Sequence, residues 1–112
     1  MTNKHYKPLL IESVKAASDL VEHRFAGFNG KHCEAGAKAL GVVDVTTEKD
    51  QFAPIALFGI LLVEAGGTIA IGDSIASDAN GKAVKVASTA LINGYALDAG
   101  TAGQKIRILK GN

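Results

Sequence analysis

Residues 68–86 read TIAIGDSIASDANGKAVKV, and this stretch decides the fold class. Apolar and polar residues alternate on both sides of Asn80–Gly81. That dipeptide is a strong signal for a two-residue β-hairpin, because a type I′ turn needs positive φ at both central positions. The reading predicts two antiparallel strands closing on a type I′ turn.

The same texture continues in both directions. Downstream, Ile92–Leu97 and Lys105–Leu109 read as strands joined by the Gly- and Ala-rich turn Asp98–Gly103. In the last strand Lys105 and Arg107 alternate with Ile106 and Ile108, which predicts one solvated and one buried face. Upstream, Ala65–Gly66–Gly67 is a loop, and Ile55–Val63 is a long apolar run broken at Gly59. A central Gly in such a run suits a buried strand with a bulge or bend. Before it come a polar turn at Thr46–Gln51, a short β-branched strand at Leu40–Val45, and a strand from Arg24 to Phe28 ending at Asn29–Gly30. The spacing predicts about seven to eight short strands, hence an all-β sandwich or small barrel.

The N-terminal quarter is less regular. Leu10, Val14, Ala17 and Val21 fall at helical spacing, whereas Leu9, Ile11 and Val14 also suit a strand with a turn at Ala17–Ser18–Asp19. Pattern alone leans to a helix over Leu9–His23. Met1–Pro8 is polar, charged and closed by proline, and reads as an extended arm ahead of a single domain at 9–112.

A chain of 112 residues is one domain by length. It has 47% apolar but only 5% aromatic residues, so Ile, Leu, Val and Ala must fill the core. The net charge is +1, from 12 basic and 11 acidic residues that are interspersed, which argues against nucleic-acid binding. A single cysteine, Cys33, excludes an internal disulfide framework. The longest apolar run, Ala53–Val63, is interrupted by Pro54 and Gly59 and is too short to span a bilayer. No signal-peptide pattern opens the chain, so synthesis in a cytosol and no membrane partner are expected.

No residue set stands out as an active site. His32–Cys33 are adjacent and point to opposite faces in an extended segment, and neither His5 nor His23 lies at a ligand spacing from Cys33. A small packed thiol is the favoured reading. Asp44, Glu48 and Asp50 lack the ligand spacing of a calcium loop and read as a solvated acidic turn. Asp73 follows Gly72 in a turn, where its carboxylate can accept from nearby backbone N–H groups, and Asp78 has the same reading. Gly66–Gly67 and Gly72 are not followed by the Lys-Ser/Thr of a phosphate loop, and no serine sits in a Gly-flanked elbow. The expectation is a non-enzyme with no catalytic residue, no cofactor and no metal.

Several segments together resemble the capsid cement (decoration) proteins of tailed bacteriophages. They are RFAGFNG at 24–30, ALGVVDV at 39–45, the glycine-interrupted strand at Gly59, GGTIAIGDSIASDANGKAV at 66–84, NGYALDAG at 93–100, and IRILKG at 106–111. The resemblance spans about Arg24–Leu109. It implies a small β-barrel or β-tulip-like domain that binds the outer surface of a mature phage head. There it would stabilise contacts between subunits of the major capsid protein, often as a homotrimer at symmetry axes. It also implies strand, short turn, strand for Leu9–Phe28 in place of the helix. On this view the arm, with Lys4, His5, Tyr6, Lys7 and Pro8, is a candidate capsid hook that adds a strand to a neighbour's sheet edge. Ile55–Val63 is the candidate core and Phe25 or Phe28 the candidate subunit contact. The alternatives are another β-rich virion part, in the tail tube or the head–tail connector, and a small β-clip-like ligand-binding or enzyme accessory domain.

Overall fold

A computed structural model describes residues 7–111. Among them there are eight strands and no helix: β1 Lys7–Lys15, β2 Phe25–Ala26, β3 Gly41–Val43, β4 Phe52–Glu64, β5 Ser74–Ser77, β6 Ala83–Lys85, β7 Gly94–Ala96 and β8 Lys105–Lys110. All named pairings are antiparallel, in the order β2-β3-β4-β8-β7-β5-β6, with β1 added to β4. The two ends of this path meet. Phe25 of β2 donates its N–H to the Gly81 carbonyl at 2.6 Å, and Ala65, just past β4, bridges Ala83 of β6. The sheet is therefore a nearly closed barrel, which leaves few free edges.

Strand β4 organises the barrel. Its first half pairs with β3 through Ala56 and Ile55, its second half with β8 from Gly59 to Glu64, and β1 runs along it from Phe52 to Ile60. Ala53 and Ile55 face a small core with Leu20, Ala26 and Val43, whereas Ala56 faces the main core with Phe25, Ile75, Ile106 and Ile108. Beyond the irregularity, Leu61, Val63 and Ala65 face that main core. Ala56 points into the main core before the bulge, and the odd-numbered Leu61, Val63 and Ala65 do so after it. A single extra residue makes that switch, because side chains alternate with a period of two.

The bulge is built from both strands. Pro8 sits opposite Gly59, Leu10 opposite Phe58 and Ile11 opposite Ala56, so Leu9 and Leu57 are successive extra residues and the register recovers. Gly59 has φ +115°, and a Cβ there would lie 2.5 Å from the Lys7 carbonyl oxygen and 2.8 Å from the Leu9 nitrogen. Only glycine fits both the torsion and the close approach.

One sequence expectation holds against the local pattern, and two change in detail. The strand that the resemblance implies from Leu9 forms, in place of the helix toward which apolar spacing leans, because the whole of β1 pairs with β4. The strand starts at Lys7, two residues before the arm boundary read from Pro8, since proline is tolerated beside a bulge on a strand that lies off the main path. The Asn80–Gly81 hairpin forms, but its turn is not type I′. Ser77 pairs with Ala83, and only Gly81 takes positive φ, at +78°. Asp78 accepts from the Asn80 and Lys82 N–H groups through its carboxylate, and its carbonyl accepts from Gly81. That carboxylate holds a longer loop of the type I plus glycine-bulge kind, and the two-residue turn loses to it.

Candidate interaction surface

The polar residues that sequence reading singles out serve the fold. His32 Nε2 accepts the Val21 N–H at 2.9 Å, which ties the irregular segment after β1 to the loop after β2. Burial and the nearby Arg24 charge hold this imidazole below its usual pKa, matching its role as an acceptor. Cys33 is 1% exposed and its thiol lies 3.4 Å from the Ala37 carbonyl. Burial raises its pKa, so it stays a thiol rather than a nucleophilic thiolate. Asp73 accepts from the Ala70 N–H at 2.8 Å. Among the described residues no three His, Cys, Asp or Glu side chains gather around a common point.

Asn93 is a structural residue that sequence reading missed. It is 2% exposed, accepts from the Ala39 N–H and donates to the Ala37 carbonyl, fastening the loop before β3 to the start of β7.

What the surface does present is apolar. Leu9 is 77% exposed and Phe28 is 70% exposed, and Leu10 and Ile11 are also exposed. All but two residues of β1 are exposed, and among the described residues it pairs only with β4. Ile60, Leu109 and Tyr95 are successive cross-strand neighbours on one face of β4, β8 and β7, and Leu109 and Tyr95 are exposed. Phe25, one of the two expected contact residues, is fully buried, because its pairing with Val42 turns it into the main core. Phe28, three residues on and past the end of β2, is on the surface. Of the expected hook, Lys7 and Pro8 lie in β1 opposite Ile60 and Gly59, while Lys4, His5 and Tyr6 lie outside the described residues.

Two shallow grooves flank Phe28. One, of about 210 Å³, runs toward His32, Cys33 and Glu34; the other, of about 200 Å³, lies between Phe28, Leu40, Leu57 and Phe58. Each has room for a side chain and is below the usual size of a small-molecule or cofactor site. Lys38 and Lys110 line the second groove. Lys110 is only 5% exposed, and burial and the Lys38 charge lower its pKa.

The fold is an eight-stranded, nearly closed all-β barrel whose surface keeps exposed leucines and a phenylalanine, side chains of the kind that protein contacts use. The chain belongs to the phage cement protein family, whose model matches residues 7–110. As a member it is a capsid-associated structural protein of a bacteriophage. Among solved structures it is similar to the N base of the head fiber protein gp8.5 of bacteriophage phi29. That likeness has a TM-score of 0.75 at 20% identity and covers 91% of this chain and 93% of the other, and it supports the fold. No curated protein matches the chain.

Proposed function

We propose that this protein decorates the outer surface of a mature phage head and stabilises contacts between major capsid subunits, without catalysing a reaction. The observation that carries the reading is the uncovered apolar surface: three consecutive exposed apolar residues on β1, together with Phe28. A lone soluble domain gains nothing from leaving Leu9 and Phe28 in water, whereas a cement protein uses such side chains at a seam. Many copies, each adding a modest interface across neighbouring subunits, sum to a large stabilisation of the shell.

In this reading the chain is made in the host cytoplasm and assembles as a homotrimer at capsid symmetry axes, with Phe28 near subunit contacts. Residues 1–6, which lead into β1, act as a hook on the capsid.

The test is to mix purified protein with undecorated, expanded heads and follow co-sedimentation and the temperature at which heads rupture. Saturable binding with a raised rupture temperature is expected. Absence of binding to expanded heads contradicts the proposal.

A further inference from the structure

The chain contains three Asn–Gly dipeptides, Asn29–Gly30, Asn80–Gly81 and Asn93–Gly94. In such a pair the glycine nitrogen can attack the asparagine carboxamide, because no Cβ on the glycine crowds the approach. The fold treats the three pairs differently. Asn93 is 2% exposed, and its side-chain oxygen and nitrogen are both bonded, to the Ala39 N–H and the Ala37 carbonyl. Attack there has to break both bonds inside the core. Asn80 is exposed, but the Gly81 N–H that must attack already donates to the Asp78 carbonyl at 3.2 Å. The Gly81 carbonyl is held in turn by the Phe25 N–H at 2.6 Å.

Asn29 is placed for the reaction. It is exposed at the tip of a tight loop that the Gly27 N–H closes on the Lys31 carbonyl at 2.8 Å. Its Oδ1 accepts the Lys31 N–H at 3.1 Å. That donor polarises the carboxamide and sits where negative charge gathers on the oxygen during attack. Among the described residues the Gly30 N–H donates to no group, so the nucleophile is not committed elsewhere.

We propose that Asn29 is a site of self-modification, where the free protein converts asparagine to aspartate and isoaspartate. The Gly30 nitrogen loses its proton to solvent base and bonds to Asn29 Cγ. The Cγ–Nδ2 bond breaks, ammonia leaves, and a cyclic imide remains. Water opens the imide by either of two bonds. Addition at Cγ restores the normal backbone and leaves an aspartate. Addition at the main-chain carbonyl carbon leaves the chain running through Cγ and frees the main-chain carboxylate. No oxidant or reductant takes part.

Both products put a carboxylate beside Phe28, which is 70% exposed. The isoaspartyl product also lengthens the backbone by one methylene and removes the Oδ1 bond that shapes the tip. The consequence for docking rests on the decoration reading: a new charge at a contact that desolvates Phe28 weakens it. Copies that wait undocked therefore lose competence with age.

The site is tested by ageing the purified protein in warm, mildly alkaline buffer and mapping its peptides by mass, with methyl transfer by an isoaspartyl methyltransferase marking the isoaspartyl product. Conversion should appear at Asn29 several-fold ahead of Asn80 and Asn93 in the folded protein, and the three should react at comparable rates in urea. Asn29→Gln, whose longer side chain closes a larger ring slowly, should abolish the early conversion and keep the parent melting temperature. Conversion led by Asn80 or Asn93 in the folded protein, none at Asn29, or the same lead for Asn29 in urea would overturn the assignment. The aged fraction, separated by ion exchange, should bind undecorated expanded heads several-fold more weakly than fresh protein, and aged Asn29→Gln should bind as fresh. Equal binding of aged and fresh protein overturns the docking consequence. Fresh protein that binds no heads removes the decoration reading, while the peptide map still decides the site.

Discussion

Replacing Gly59 by alanine attacks the device that lets β4 serve two cores. The backbone there has φ +115°, which costs a residue with a Cβ about 1–3 kcal/mol. The added methyl would also sit 2.5 Å from the Lys7 carbonyl oxygen and 2.8 Å from the Leu9 nitrogen, both backbone atoms. The start of β1 must retreat, and losing two of its ladder hydrogen bonds adds about 2 kcal/mol. The sum, about 3–5 kcal/mol, is a large share of a typical domain stability of about 5–15 kcal/mol. It corresponds to a fall in Tm of roughly 10–20 °C for a domain of this size. Urea and thermal unfolding measure the loss, and hydrogen exchange locates it at the amides of residues 7–11. Gly67→Ala is the control, since nothing lies within 4 Å of a Cβ built there. It should stay within about 0.5 kcal/mol of the parent. A Gly59→Ala protein as stable as the parent, or one destabilised with β1 protection unchanged, would refute the account of the bulge.

Other expectations follow from single contacts. Asn93→Ala removes both side-chain bonds that fasten Ala37 and Ala39, leaves buried backbone groups unpaired, and should cost about 2–3 kcal/mol in chemical denaturation. His32 holds its proton less readily when folded than its ordinary value of 6.5, so the unfolded chain binds more protons as the pH drops below that value. Stability should therefore fall with acidification from about pH 6.5 toward the lower folded value, and His32→Gln should flatten that slope in pH-dependent melting. Deleting residues 1–6, which spares the paired Lys7 and Pro8, should keep Tm within about 2 °C while lowering occupancy on heads; equal occupancy would remove the hook.

Much of this architecture is readable in the chain. Alternation in Lys105–Leu109, the glycine break in Ile55–Val63 and the polar turn at Thr46–Gln51 report local backbone preference, and they locate β8, β4 and the β3–β4 loop. The Asn80–Gly81 dipeptide locates its hairpin but misjudges the turn, because the Asp78 carboxylate contributes two bonds that a dipeptide rule omits. The helical lean of residues 9–23 fails because apolar spacing carries no information about β4, the partner that fixes β1. Phe25 and Phe28 are indistinguishable by type, and only the end of β2 between them sends one inward and the other to solvent. Lys110 was legible in one respect: it keeps phase with Ile106 and Ile108. Ending the strand at Leu109 hides that phase. The groove itself joins Phe28, Phe58 and Lys110, residues far apart in the chain, and no local pattern brings them together.

The central claim, decoration of the outside of the shell, is tested most directly by electron cryomicroscopy of expanded heads before and after adding the protein. The account predicts barrel-sized difference density on the outer surface, spanning the seam between adjacent major capsid subunits. Density confined to the tail or the head–tail connector, or no added density at all, would contradict it.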